Sequence, residues 1–169
     1  GEEVLHFGIP MTSPQVRIEP VWKSLGMRGT GSHDIVIDGH FLPEASVAAR
    51  RKAGEWHPLF HVISTVAFPL IYAVYLGVAE SARDIAIRLA ARRRPDVGLA
   101  QLAGRMETAL HAARLVHRNM VEVAGLGRAD AQTVNDVMMS KAIVTGHLLE
   151  VAALSLEVAG GAGFYRSAG

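Results

Sequence analysis

A cluster of four arginines is the feature of this sequence with the clearest capacity to bind a ligand. Arg88, Arg92, Arg93 and Arg94 lie near the end of a predicted helix. A guanidinium can bind a phosphate or pyrophosphate through parallel hydrogen bonds, so these residues could clamp such a group. The alternative is a favourable alignment with the helix dipole, whose negative end attracts cations. Composition alone favours the dipole explanation, and the phosphate clamp is the second hypothesis.

A glycine-rich segment near the end of the sequence could also approach a ligand closely. Gly160, Gly161 and Gly163 follow a predicted helix. A glycine has no Cβ and lets a ligand contact the backbone, although glycines here are also typical of a helix end. The segment does not match the pattern G-x-G-x-x-G and does not follow a strand, which excludes a Rossmann-type dinucleotide site.

The other residue types do not support a metal site, a thiol nucleophile or a catalytic triad. The chain has no cysteine, which excludes thiolate nucleophiles, cysteine-ligated zinc and iron–sulfur clusters. Among the histidines, His57 and His61 have a helical spacing but Pro58 lies between them, and His111 and His117 are six residues apart. We therefore predict structural or surface histidines and no metal site. No spacing of serine, histidine and aspartate supports a catalytic triad.

Charge and hydrophobicity restrict the kinds of partner. The chain has 17 Lys and Arg against 16 Asp and Glu, a net charge of +1, whereas a nucleic-acid-binding protein concentrates positive charge. Residues 62–79 carry no charge and reach the length threshold for a membrane-spanning helix. This run contains polar residues and a proline and continues directly into Glu80. We expect a helix packed among other helices, with neither a nucleic acid nor a membrane as partner.

Residues 1–50 have the periodicity of β-structure. Polar and apolar residues alternate at 15–19 and at 34–38, as in half-buried strands. The glycine-rich stretch 26–31 between them predicts a tight reversal. Two or three strands do not form a stable sheet alone, so this region is expected to be the end of a larger β-domain.

Residues 51–169 form the second region. From about residue 57 its apolar residues recur with a helical period. Long helices are predicted near 97–124 and 131–159 in addition to a first helix, in which Pro69 suits a first-turn position or a kink. Short connections make neighbouring helices antiparallel. The predicted fold is mainly α, an antiparallel up-and-down helical bundle preceded by a few strands of an incomplete β-domain.

The third predicted helix is apolar nearly all round from Leu148 to Ala159. Its core-facing stripe is predicted to contain the following residues: Val134, Val137, Met138, Leu148, Ala152 and Leu156. Three helices cannot cover so many apolar faces. We infer a missing fourth helix, an oligomer interface, or both.

Several segments resemble the acyl-CoA dehydrogenase superfamily, over essentially the whole chain. The stretch W-K-S-L-G-M-R-G-T-G-S-H-D at 22–34 precedes a strand at 35–38 and an F-L-P-E exit at 41–44, as at the end of that family's middle β-domain. The sequence L-G-V-A-E-S-A at 76–82 is similar to a motif of the family's first long C-terminal helix. The sequence V-A-G-G-A-G-F-Y-R-S at 158–167 is similar to a segment of its monooxygenase-like branch.

The resemblance implies a domain organisation. Residues 1–50 would be the end of the middle β-domain, and residues 51–169 a C-terminal helical bundle without its fourth helix. The chain is therefore expected to be a fragment, with the family's other domains before Gly1. The family's catalytic glutamate base would lie beyond Gly169, which leaves the catalytic residues of this chain unknown.

The resemblance also implies a flavin, either FAD or, as the alternative, FMN, held between the β-domain and the bundle with helices of a second subunit. Arg93 or Arg94 would correspond to the arginine that reaches the dinucleotide pyrophosphate, and Gln101 to the glutamine of the next helix. Gly160 and Gly161 match the pair of glycines whose backbone lies beside the cofactor.

The activity that the resemblance implies is α,β-dehydrogenation of acyl-CoA thioesters with hydride transfer to the flavin. The Y-R-S ending at 165–167 favours instead a two-component monooxygenase that uses reduced flavin to hydroxylate an aromatic ring or a sulfur. A non-catalytic helical interaction module is the third hypothesis. Expected partners are a small-molecule substrate and further copies of the chain in a homodimer or homotetramer, and the expected location is cytoplasmic.

Overall fold

The computed structural model describes residues 2–94, 96–165 and 167, and the chain divides into two compact units, Gly1–Trp56 and His57–Gly169. Pro95, in the predicted break between helices, and Arg166, in the Y-R-S motif, lie outside the described residues. Each unit is described by itself below.

The first unit consists of two separate antiparallel strand pairs. Strand β1 (Glu3–Phe7) pairs with β4 (Val47–Lys52), and β2 (Val16–Glu19) pairs with β3 (Asp34–Ile37). The strands predicted at 15–19 and 34–38 are present as β2 and β3, whereas β1 and β4 were not predicted. No residue between 2 and 56 is buried. Within this unit the strand pairs therefore have no hydrophobic core of their own.

The predicted reversal at 26–31 connects β2 to β3. A 3₁₀ turn at Arg28–Thr30 is flanked by Met27 and Gly31, both in the left-handed backbone region, with φ of 52° and 57°. The Met27 carbonyl accepts hydrogen bonds from Trp22 Nε1 at 3.1 Å and from Thr30 Oγ1 at 2.8 Å. These two bonds stabilise a turn that is unusual for a methionine.

The second unit is a bundle of three long helices, which confirms the predicted fold class. Helix α1 spans Leu59–Ala90, α2 spans Val97–Gly125 and α3 spans Ala131–Ala159, followed by a 3₁₀ turn at Gly160–Phe164. The side chain of Asp96 accepts a hydrogen bond from the Leu99 N–H at the start of α2. The side chain of Asp130 accepts a hydrogen bond from the Thr133 N–H at the start of α3. Both helices begin with N-caps that satisfy an otherwise unpaired N–H.

Contacts between helices fix their directions. Helices α1 and α2 are antiparallel, α2 and α3 are antiparallel, and α1 and α3 are consequently parallel. The side-chain contacts that establish this order are Glu80–Arg114, Arg83–Glu107, Arg105–Glu150, Asn119–Ser140 and Tyr72–Thr145. The bundle is up-and-down, as predicted from the short connections.

The hydrophobic core runs along α3, which packs against both other helices. Its fully buried side chains are Met106, Leu110, Met120, Val137, Val144, Val151 and Val158. The predicted stripe of α3 is correct at Val134, Val137 and Leu148 but wrong at Ala152 and Leu156, which are exposed. Successive steps of four residues drift about 40° each round a helix of 3.6 residues per turn. The buried stripe stays in line by mixing steps of three and four, through Val151 and Val158.

Pro69 lies well inside α1, so the first-turn alternative for this proline is wrong. A proline has no N–H, and the helix therefore lacks the hydrogen bond that residue 69 would otherwise donate to the carbonyl of Thr65. Both Pro69 and Thr65 are buried. His117 of α2 lies against this turn, with Nε2 2.9 Å from the Pro69 carbonyl oxygen. That contact gives His117 a structural role between helices, as predicted for the histidines.

The outer faces of α1 and α3 remain apolar. Exposed apolar side chains include Val66, Leu70, Val74 and Val78 on α1 and Leu149 on α3. Among the described residues, two helical stretches are long and apolar enough to cross a membrane by length and composition alone, and only 28% and 39% of their apolar windows are buried in the chain. Core helices of a bundle meet the same criteria, so this finding is weak evidence for a membrane.

Candidate functional site

A polar cleft lies at the end of the bundle where α1 ends, α2 begins and α3 ends. Its volume is about 410 Å³. The lining residues are Arg93, Asp96, Gly98, Leu99, Gln101, Leu102, Arg105 and Glu157. Since α1 and α3 are parallel and α2 runs the other way, this end of the bundle brings two helix C-termini next to one helix N-terminus.

Arg93 is held in the cleft by the last turn of α3. Its Nη1 donates a hydrogen bond of 3.1 Å to the carbonyl of Val158. The terminal carbonyls of a helix lack intrahelical partners and carry partial negative charge, which a guanidinium satisfies. The dipole explanation for the arginine cluster thus applies to Arg93, but the helix end involved is that of α3, whereas Arg93 itself follows α1.

Gly160 ends α3 directly beside this guanidinium. Its φ of 63° and ψ of −157° lie in a region that is essentially restricted to glycine. A Cβ built on Gly160 would lie 3.3 Å from Arg93 Nη1, which is tighter than ordinary contact. The glycine therefore provides both the helix end and the space that Arg93 occupies.

The opposite wall of the cleft is the first part of α2. The first N–H groups of a helix have no intrahelical acceptor and carry partial positive charge, which favours anions. Asp96 satisfies one of them, the N–H of Leu99, at 2.8 Å. Gln101 and, one turn later, Arg105 add side-chain hydrogen-bond donors to the same wall.

The cleft combines two cations with two carboxylates. Arg93 and Arg105 line it together with Asp96 and Glu157. The carboxylate of Asp96 is already engaged as an N-cap, and Arg105 lies 3.7 Å from Glu150. Glu157 stays in the lining as an acceptor. Beside it the cleft offers a ligand a set of donors, from guanidinium, amide and backbone groups. Such a set binds phosphate or carboxylate oxygens.

The structure brings together some of the predicted site residues. Arg93 and Gln101 line the cleft and Gly160 lies beside the Arg93 guanidinium, whereas Arg94 and Gly161 are not among the lining residues. Sequence reasoning did not include Arg105, although it follows Gln101 by four residues and so shares its helix face.

A second cavity, also of about 410 Å³, opens between α1 and α3 on their apolar side. Its lining is apolar apart from the hydroxyls of Tyr72, Tyr75 and Thr145. Tyr72 Oη lies 2.8 Å from Thr145 Oγ1, which in turn lies 2.7 Å from the Lys141 carbonyl. The Tyr72 and Tyr75 rings meet edge to face at 5.7 Å. Among the described residues no group of three or more His, Asp or Glu side chains could hold a metal.

Comparisons with known proteins agree on one family. The family model for "Acyl-CoA dehydrogenase, C-terminal domain" matches residues 69–169. The amino sugar nitrososynthase DnmZ of Streptomyces peucetius is 28% identical over 94% of this chain and 42% of its own length. An indole-3-acetate monooxygenase of Pseudomonas putida is 32% identical over 65% of this chain and 31% of its own length.

The fold is shared with a solved structure, that of KijD3. In complex with dTDP, KijD3 superposes with a TM-score of 0.77 at 24% sequence identity, over 93% of this chain and 43% of its own. A second KijD3 structure, which contains FMN and an amino-keto dTDP sugar, gives a TM-score of 0.75. The chain spans about two fifths of the length of DnmZ and KijD3.

Proposed function

This chain belongs to the acyl-CoA dehydrogenase family, whose flavoproteins include nitrososynthases and monooxygenases, and on that premise we propose that it forms the cofactor-contacting helical part of a flavin-dependent monooxygenase. The single observation that carries the assignment of a cofactor site is the cleft lined by Arg93 and Gln101, with Gly160 beside the Arg93 guanidinium. The resemblance implied a cofactor role for each of these three residues. Their convergence from α2 and from the ends of α1 and α3 supports that role.

The donor set of the cleft fits the phosphate groups of a flavin nucleotide. Arg93 would bind a phosphate oxygen through the N–H groups that Val158 does not use, and Gln101 would donate an amide N–H from the opposite wall. The start of α2 would add backbone donors. When bound, the flavin would supply the electron transfer, which no side chain in this cleft can perform. FAD and FMN share this phosphate chemistry, and both are candidates.

The reaction proposed is an oxygenation that uses reduced flavin. It is supported by the activities for which two relatives are named, a nitrososynthase and an indole-3-acetate monooxygenase. The second candidate is α,β-dehydrogenation of an acyl-CoA thioester, which the match to the acyl-CoA dehydrogenase model favours. In either case the contribution of the described residues is to bind and orient the flavin, and the chemistry takes place on the flavin and substrate.

A matched pair of variants tests the cofactor site. Arg93→Met should weaken flavin binding about 10- to 100-fold, because a hydrogen bond to a charged group contributes about 1.5–3 kcal/mol. Arg94→Met removes the same charge from the neighbouring residue, which does not line the cleft, and should leave the affinity within about twofold. The dissociation constant is measured by quenching of flavin fluorescence on the full-length protein. An equal effect of both variants would contradict the site.

A second experiment separates the two reactions. Purified protein with bound oxidised flavin is mixed anaerobically with acyl-CoA thioesters, and the visible absorbance of the flavin is followed. A monooxygenase should keep its oxidised spectrum, and should oxidise an amine or aromatic substrate only when a flavin reductase and oxygen are supplied. Rapid bleaching by an acyl-CoA would establish the dehydrogenase instead.

We also propose that the chain assembles into a homodimer or homotetramer in the cytoplasm. The assembly is supported by the apolar outer faces of α1 and α3, because exposed apolar patches of this extent are typical of interfaces. Sedimentation equilibrium at micromolar concentration should give the mass of two or four chains. A monomer at all concentrations would refute the assembly without affecting the cofactor site.

A further inference from the structure

We propose that the end of α3 positions Arg93 for the cofactor, with the Val158 carbonyl fixing one edge of its guanidinium and Gly160 leaving the space it needs. The inference rests on the proposed function, because it concerns how the same cleft presents its arginine. It assigns Val158 and Gly160 as positioning residues that act through Arg93.

The hydrogen bond to Val158 restricts an otherwise flexible side chain. Arg93 follows α1 in the connection to α2, and its side chain is free to adopt many rotamers there in the absence of a fixed contact. The 3.1 Å bond from Nη1 to the Val158 carbonyl uses one of five guanidinium N–H donors. The guanidinium is planar, so fixing one edge also fixes the direction of the remaining donors in the cleft.

Any side chain at position 160 would disturb this arrangement, which the native Gly160 leaves intact. A Cβ at position 160 would meet Arg93 Nη1 at 3.3 Å and Cζ at 3.9 Å, and no other neighbour within 4 Å. The steric consequence of an added methyl group therefore falls on the arginine. Gly161, one residue further, has open space around it and cannot exert the same steric effect on Arg93.

A double-mutant cycle in flavin affinity tests the assignment. Gly160→Ala should weaken flavin binding about 5- to 50-fold in the wild-type background and by less than about twofold in the Arg93→Met background, because the methyl group acts only by displacing the guanidinium. Backbone strain at Gly160 is expected to lower the melting temperature equally in both backgrounds. Gly127→Ala, at a φ of 67° with no neighbour within 4 Å of an added Cβ, is the control for a Gly→Ala change at positive φ.

Arg93→Lys provides a test that does not alter the glycine. An ammonium keeps the positive charge but has no planar fork to bridge the Val158 carbonyl and a phosphate. The affinity should fall nearly as far as in Arg93→Met, and a lysine that retains most of the affinity would overturn the proposal.

The outcomes separate this inference from the proposed function. If Arg93→Met weakens flavin binding but Gly160→Ala has the same effect in both backgrounds, the positioning role is wrong and the cofactor site stands. If neither Arg93→Met nor Gly160→Ala alters flavin affinity, the cofactor site itself is wrong. A non-additive pair, with a lysine that fails to substitute, would support both.

Discussion

The hydrogen bond between Tyr72 and Thr145 joins α1 to α3, and truncation of its two partners is expected to have unequal effects on stability. Thr145 Oγ1 lies 2.8 Å from Tyr72 Oη and 2.7 Å from the Lys141 carbonyl. A carbonyl only accepts and a hydroxyl has a single proton, so Thr145 donates to Lys141 and Tyr72 donates to Thr145. The direction of this hydrogen bond, from Tyr72 to Thr145, therefore determines which of the two truncations lowers the free energy of unfolding more.

Tyr72→Phe removes the donor and leaves the bond from Thr145 to Lys141 intact. The expected loss is one hydrogen bond, about 0.5–1.5 kcal/mol of the free energy of unfolding. Thr145→Val preserves the side-chain shape but removes the acceptor. It leaves the hydroxyl of Tyr72, a residue that is 8% exposed, without its partner, at a cost of about 1–3 kcal/mol. Thr145→Val should be the more destabilising change, and the double variant should cost less than the sum.

Urea unfolding of the wild type, the two single variants and the double variant, followed by circular dichroism, gives the four free energies. The comparison requires equal slopes of free energy against urea, which show that the same surface is exposed in each case. A larger loss in Tyr72→Phe than in Thr145→Val, or strict additivity of the two, would refute the donor direction.

Two further predictions concern the core and the start of α3. Leu110→Ala should lower the free energy of unfolding by about 2–5 kcal/mol, because Leu110 is fully buried. Leu115→Ala on the same helix, where the side chain is 48% exposed, should lower it by about 0.5 kcal/mol or less. Similar losses for both variants in chemical denaturation would contradict the assignment of the core. Hydrogen bonds from the backbone N–H and side chain of Thr133 hold the pKa of Asp130 below its ordinary value. The stability that these bonds supply is therefore complete above the pKa of an unfolded aspartate and is lost as the pH falls through the lower folded pKa. The difference in melting temperature between wild type and Asp130→Asn should shrink as the pH falls below the ordinary aspartate pKa of about 4, and a constant difference would argue against the cap.

The helices were predictable from the sequence because their periodicity and their N-caps are local. Asp96 and Asp130 stand at the starts of α2 and α3, and short connections fix the antiparallel order. Strands β1 and β4 were not predicted because charged residues interrupt their apolar pattern. Arg50 of β4 lies opposite Leu5 in the ladder, and its guanidinium forms an ion pair with Glu3 of β1. That pairing is visible only once the two distant segments are adjacent.

The candidate site was predictable in its residue types but not in its geometry. The resemblance indicated Arg93 or Arg94 without distinguishing them, since adjacent arginines in a connection have no periodicity to separate them. The distinction comes from the Val158 carbonyl, 65 residues further along the chain, which accepts the hydrogen bond of Arg93. A backbone acceptor leaves no trace in the sequence. The role of Gly160 as space for a guanidinium is likewise a property of the packed helices.

Pro69 has a consequence for the rate at which parts of α1 exchange their amide hydrogens with solvent. The turn at Thr65 lacks one backbone hydrogen bond, and the hydrophobic core includes α1 residues only from Tyr72 onward, with Phe68 packed at its edge. The first ten residues, Leu59–Phe68, can therefore unwind at a lower free energy than the whole unit. Deuterium uptake should divide α1 at Pro69, with fast exchange before it and slow exchange through Ala79 and Ala86. The two parts of one continuous helix would then exchange their amide hydrogens on different timescales.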